Sequence, residues 1–208
     1  GVCRPPQYAS SPRNKHKNRI DMSAIRNLEP KLVWAIFDDI TRVPRPSKKE
    51  EKITKFLIEF AEAHHLDYQC DAIGNVVIRK AATAGYESRP TIVLQAHTDM
   101  VCEKNSDKVF DFDNDAIQTI IDGEWVKADG TTLGADDGIG VAAALALLID
   151  ESVAHPALEA LFTVDEETGL TGAFNLGEGM VKGKYLINLD SEDEGEVFIG
   201  CAGGIDTL

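Results

Sequence analysis

The chain has 208 residues, 43% apolar and 7% aromatic, which is enough for one domain with a real core. Its formal net charge of -14 repels phosphate backbones and anionic lipid, which argues against a nucleic-acid or membrane-surface partner. No apolar run approaches the roughly eighteen residues of a membrane span, and no signal-peptide pattern is visible.

Residues 1–21 carry five Lys or Arg and one acid, with several Pro, Ser and Asn. They are predicted to be a disordered or non-native extension, with Met22 as the natural start. A targeting helix is the alternative, opposed by the prolines and the missing apolar face. Cys3, Cys70, Cys102 and Cys201 form no CxxC pair, which fits a reducing, cytoplasmic setting better than a disulfide scaffold.

Leu32, Ile36, Phe37 and Ile40 recur at helical spacing, and Pro44 and Pro46 end that helix. Ser47 and Glu50 have the spacing of a capping box, and Ile53, Phe56, Leu57, Phe60 and Ala61 form the apolar face of a second helix to about residue 65. Strands are predicted at 75–79, 91–97, 124–128, 158–165, 184–190 and 196–200. A small-residue helix at 138–151 and a shorter helix at 171–178 lie between them. This alternation predicts an α/β fold with helices on the faces of a sheet.

The chemistry-bearing residues gather at the ends of these elements. His97 and Asp99 stand at the carboxyl end of an apolar strand, where open α/β sheets place ligand sites. Asp136 and Asp137 precede a helix, where simple capping is the plain alternative. Asp165, Glu166 and Glu167 close a second apolar strand, and such a cluster repels itself unless a cation or proton intervenes. Asp190 follows a third, with Glu192, Asp193, Glu194 and Glu196 beyond it read as solvated loop charges. Convergence on one rim predicts a catalytic centre for zinc, manganese or cobalt, with two ions sharing an aspartate. The lone GIG at 138–140 is not read as a dinucleotide loop, because the preceding aspartates would repel a pyrophosphate.

The motifs VLQAHTDMV, DGEWVKADGTTLGADDGIG, EETGLTGAF, INLDSEDEGE and GCAGGID resemble the two-metal zinc exopeptidases, most closely the aminoacyl-histidine dipeptidases, also called cytosol non-specific dipeptidases. The resemblance runs from about Met22 to Leu208 and implies a zinc-exopeptidase-like mixed sheet flanked by helices. It implies that residues 22–208 are the N-terminal part of the catalytic domain, without the lid domain and C-terminal half. By the same resemblance His97 and Asp190 ligate one Zn2+, Asp136 bridges, Glu167 ligates the second, Glu166 is the general base, and Asp99 orients His97. A cis peptide between Asp136 and Asp137 is also implied. The expected activity is hydrolysis of dipeptides, Xaa-His among them, impaired here because the last histidine ligand of the second zinc lies beyond the chain's end. A homodimer is implied for the full-length form. A related deacylase or carboxypeptidase, and a non-catalytic binding module, are the alternatives.

Overall fold

The computed structural model describes residues 24–191 and 195–200. After a 3-10 turn at Ala24–Asn27, helix α1 runs over Lys31–Thr41 and α2 over Glu51–Ala63. Strands β1 (Asp67–Cys70), β2 (Val76–Lys80) and β3 (Ile92–His97) follow, then the hairpin β4 (Thr119–Asp122) and β5 (Trp125–Ala128). Helix α3 (Ala135–Ile149), β6 (Leu158–Thr163), the single turn α4 (Thr171–Phe174) and β7 (Tyr185–Asn188) complete the described elements.

The main sheet has the order β1-β2-β6-β3-β7. β6, β3 and β7 are parallel, whereas β1 and β2 are antiparallel to their neighbours, so the sheet is mixed. Alternation along each strand sorts the side chains between two faces. Val76, Ile78, Leu94, Ala96, Ala160 and Phe162 face the core built on α1, α2 and α3. Val77, Val93 and Leu161 pack on the opposite face, against Met180, Leu176 and Val181. β6 is buried along its whole length because both faces and both edges are covered. β7 lies at the sheet's edge, with Tyr185, Leu186 and Ile187 about half exposed. Glycines and alanines let α3 lie close to the sheet, with Gly138, Gly140, Ala142, Ala144 and Ala146 all buried. Among the described residues, no helix is long and apolar enough to cross a membrane.

Four expectations need correction. The capping box does not form: Ser47 bonds Asp99, and Glu50 sits at the N-cap of α2 with its carboxylate turned toward Lys48 and Asp165. Tertiary partners outcompete the local cap for both side chains. Residues 196–200 are not a strand; among the described residues they pair with nothing, and Val197 and Ile199 are exposed. The predicted helix at 171–178 shrinks to one turn, because the chain beyond Asn175 turns back so that Met180 can fill the far face of the sheet. β1 and β4 have no counterpart among the predicted strands. The extension at 1–21 and the motif's glycine turn at 201–206 lie outside the described residues, as do Glu192, Asp193 and Glu194.

Candidate metal centre

Parallel pairing of β3 with β6 and β7 brings three strand ends to one rim, and the start of α3 faces them. β3 delivers His97, buried to 1% exposure, and the next turn delivers Asp99, fully buried. The turn after β6 delivers Glu166 and Glu167, and Asp190 follows β7 by two residues. Asp136 and Asp137 come from the first turn of α3, where the helix dipole favours negative charge. Their peptide bond is cis. Asp136 has extended rather than helical backbone at the helix entrance. Asp136 is exposed at the rim; Asp137 is buried beneath it.

His97 is the hub. Its Nε2 lies 2.9 Å from Asp136 Oδ1 and 3.9 Å from both Glu166 Oε2 and Asp190 Oδ2, while its Nδ1 lies 3.3 Å from Asp99 Oδ1. Both ring nitrogens face carboxylates, an arrangement a protonated imidazole satisfies from both sides. Burial alone would lower the His97 pKa, but the bonds to Asp99 and Asp136 outweigh it and raise it to about 9. Asp99 is the reverse case. Burial would raise it, but His97, the Glu166 N–H and Ser47 hold it at about 2. Asp99 Oδ1 accepts the Glu166 N–H at 3.0 Å; Oδ2 accepts the Ser47 hydroxyl at 2.8 Å and the Glu167 N–H at 3.2 Å. Its four partners join β3, the segment before α2 and the turn after β6.

The other acids carry the strain of crowding. Burial, then the charge of Asp190, raises Asp137 to about 7. Burial, reinforced by Asp136 and Glu166 against the pull of His97, raises Asp190 to about 6. Burial and Asp136 push Glu167 upward as well. Such carboxylates give up their protons when a cation arrives.

Ligand atoms of His97, Asp136 and Glu167 lie within 4.8 Å of one another, and so do those of His97, Asp137 and Asp190. An imidazole with several carboxylates and no thiolate suits zinc or a neighbouring divalent ion, and the two overlapping groups have the make-up of a two-metal site. All six sequence-predicted residues, His97, Asp99, Asp136, Glu166, Glu167 and Asp190, therefore meet at this rim. Among the described residues, His64, His65 and His155 do not join it.

Asp165 does not join it either. It has positive φ, which turns its carboxylate away to accept the Thr168 and Thr171 hydroxyls at 2.6 and 2.5 Å. Glu50, Asp99 and Asp165 form a third acidic group, but N–H and O–H donors already hold its oxygens. It is a structural knot. Arg45, Ser47 and Glu50 carry no signal of the site in the sequence, and Asp137, which the sequence places beside Asp136, is given no ligand role in the sequence reading.

The mixed sheet flanked by helices, with His, Asp and Glu converging at its strand ends, is consistent with a zinc-exopeptidase-like fold. Over 185 residues the chain is a close homologue of the cytosol non-specific dipeptidase of Escherichia coli, 52% identical, covering 89% of this chain and 38% of the relative. It superposes on the aminoacylhistidine dipeptidase of Vibrio alginolyticus with a TM-score of 0.84 at 50% identity, covering 86% of this chain and 36% of that one. The aminopeptidase PepT of Bacillus cereus is similar at 26% identity and a TM-score of 0.65, over 78% of this chain and 44% of that chain. No family model matches the chain. It thus spans less than two-fifths of the length of the two dipeptidases.

Proposed function

We propose that this chain carries the metal centre of a dipeptide hydrolase, with His97 and Asp190 holding one divalent cation, Glu167 the second, and Asp136 shared between them. The observation that supports this reading most is the convergence of Asp136, Glu167 and Asp190 around His97 Nε2, with Asp99 behind the ring's other nitrogen. Zinc, manganese or cobalt held there would acidify an attacking water and polarise the peptide carbonyl.

The residues of the chain do the rest. Glu166, about one-third exposed at the rim, has one carboxylate oxygen facing the cluster and solvent access for a substrate. It takes the proton from the attacking water and returns it to the leaving amine nitrogen, so one carboxylate serves both halves of the reaction. Asp99 holds His97 in one orientation and, through the Glu166 and Glu167 N–H groups, fixes the turn carrying the base. The proposed substrate is a small peptide with free termini, Xaa-His dipeptides among them, and residues from about Met22 onward form the N-terminal part of the catalytic domain. We expect turnover by the 208-residue chain to be impaired, since the described residues supply one histidine to the cluster.

The test is a substrate panel with added zinc and with chelator: Gly-His, β-alanyl-histidine, a tripeptide and an N-acetyl amino acid. Zinc-dependent release of histidine from the dipeptides is the expected result. Preference for the N-acetyl substrate would move the chain to the deacylases, and binding of a dipeptide without turnover would make it a binding module.

A further inference from the structure

Arg45 lies in the proline-flanked segment that the sequence marks only as a helix breaker. In the structure it is 2% exposed and inserted behind the metal centre. Its guanidinium donates to three backbone carbonyls on two loops. Nη1 bonds Thr98 O at 3.0 Å and Asp99 O at 3.1 Å, and Nη2 bonds Gly134 O. Thr98 and Asp99 directly follow His97; Gly134 stands two residues before Asp136. Its own carbonyl accepts the Met100 N–H at 3.1 Å, and Pro46 bridges Met100, so the segment is also stitched to the chain beyond β3.

The surroundings are shaped to this side chain. A methyl group at Gly134 or Gly138 would collide with Nη2, so the residue before α3 and the helix's own first turn both leave room for it. The planar fork is the feature used, because it alone presents several fixed donors toward carbonyls on separate loops.

We propose that Arg45 is a positioning residue of the metal centre, setting the distance between the His97 and Asp136 loops while touching neither ligand. This rests on the metal-binding reading above. Charge and geometry make opposite forecasts. As a bare positive charge near Asp99, Asp136 and Asp137, Arg45 would repel an incoming cation, and its removal would tighten binding. As a clamp it holds two ligands in register, and its loss weakens binding by roughly 10- to 100-fold, the range found for groups that orient metal ligands.

The experiment titrates cobalt(II) into the wild-type chain, Arg45→Met and Arg45→Lys, following the visible absorption of the bound ion and the melting temperature of each chain. The proposal expects weaker cobalt binding and an altered absorption band in Arg45→Met. It expects a smaller loss in Arg45→Lys, which keeps the charge but not the fork. Equal or tighter binding by folded Arg45→Met overturns it, as does wild-type binding by Arg45→Lys, which decides alone where the methionine variant does not fold. A wild-type chain that binds no cobalt overturns the metal-binding reading itself, and the proposal with it.

Discussion

The His97 proton gives a quantitative test of the centre. Without metal its pKa is about 9, so at pH 7 the imidazole is almost wholly protonated and donates to Asp99 and Asp136. A divalent cation needs the Nε2 lone pair, so binding must expel that proton. From pKa about 9 to pH 7 the competition costs about 3 kcal/mol at 1.36 kcal/mol per unit, or about 100-fold in affinity. The sign follows: affinity rises with pH and levels off only above about 9, once the imidazole is neutral. Between pH 6 and 8 the logarithm of the affinity should climb by about one per pH unit, and more steeply at the acid end, where Asp137 and Asp190 also hold protons. Calorimetry of zinc binding in two buffers of different ionisation enthalpy counts the protons released, and about one at pH 8 is expected. Affinity constant across this window, with no proton released, would refute the placement of His97 as a ligand.

Replacing Asp99 by Asn removes the charge behind His97. It should lower the His97 pKa from about 9 toward its ordinary value, measured by NMR titration, and weaken zinc binding roughly 10- to 100-fold; an unmoved titration would contradict the pairing. Gly172→Ala would drive a methyl group into the Val164 backbone and Asn75 Oδ1, beneath the turn that carries Glu166. A loss of roughly 1–3 kcal/mol in urea denaturation is expected, and an unchanged midpoint would show that the turn yields freely. Phe162→Ala empties a fully buried position in the central strand and should cost roughly 3–5 kcal/mol in the same assay; a change below 1 kcal/mol would mean the core repacks around it.

The parts of the fold that the sequence reveals are those where burial imposes a pattern. β3 and β6 are apolar runs because the sheet covers them, and α3 is rich in small residues because it lies against that sheet. β1 is exposed at all four positions and β4 at most of its own, so neither carries an alternation to read. The apolar run at 196–200 shows the converse, β-prone residues without a partner strand among those described. At the rim, the acids next to apolar strand ends were legible because a charge beside a buried run is unusual. Arg45 and Glu50 were not, since the partners that tie them to the rim lie from 53 to 115 positions away and each alone reads as an ordinary charge near a helix start. Asp165 is turned away from the site of its neighbours Glu166 and Glu167 by its positive-φ backbone, a property no composition or spacing records.

If this rim performs hydrolysis with cations held by its neighbours, Glu166 is the residue on which turnover depends. The direct measurement is histidine release from Gly-His by the zinc-loaded chain beside Glu166→Ala, with bound zinc measured in both. Slow release by the native chain and none by the variant is expected, with zinc retained because His97, Asp136, Glu167 and Asp190 are untouched. Equal release by the two zinc-loaded chains would contradict that role for Glu166.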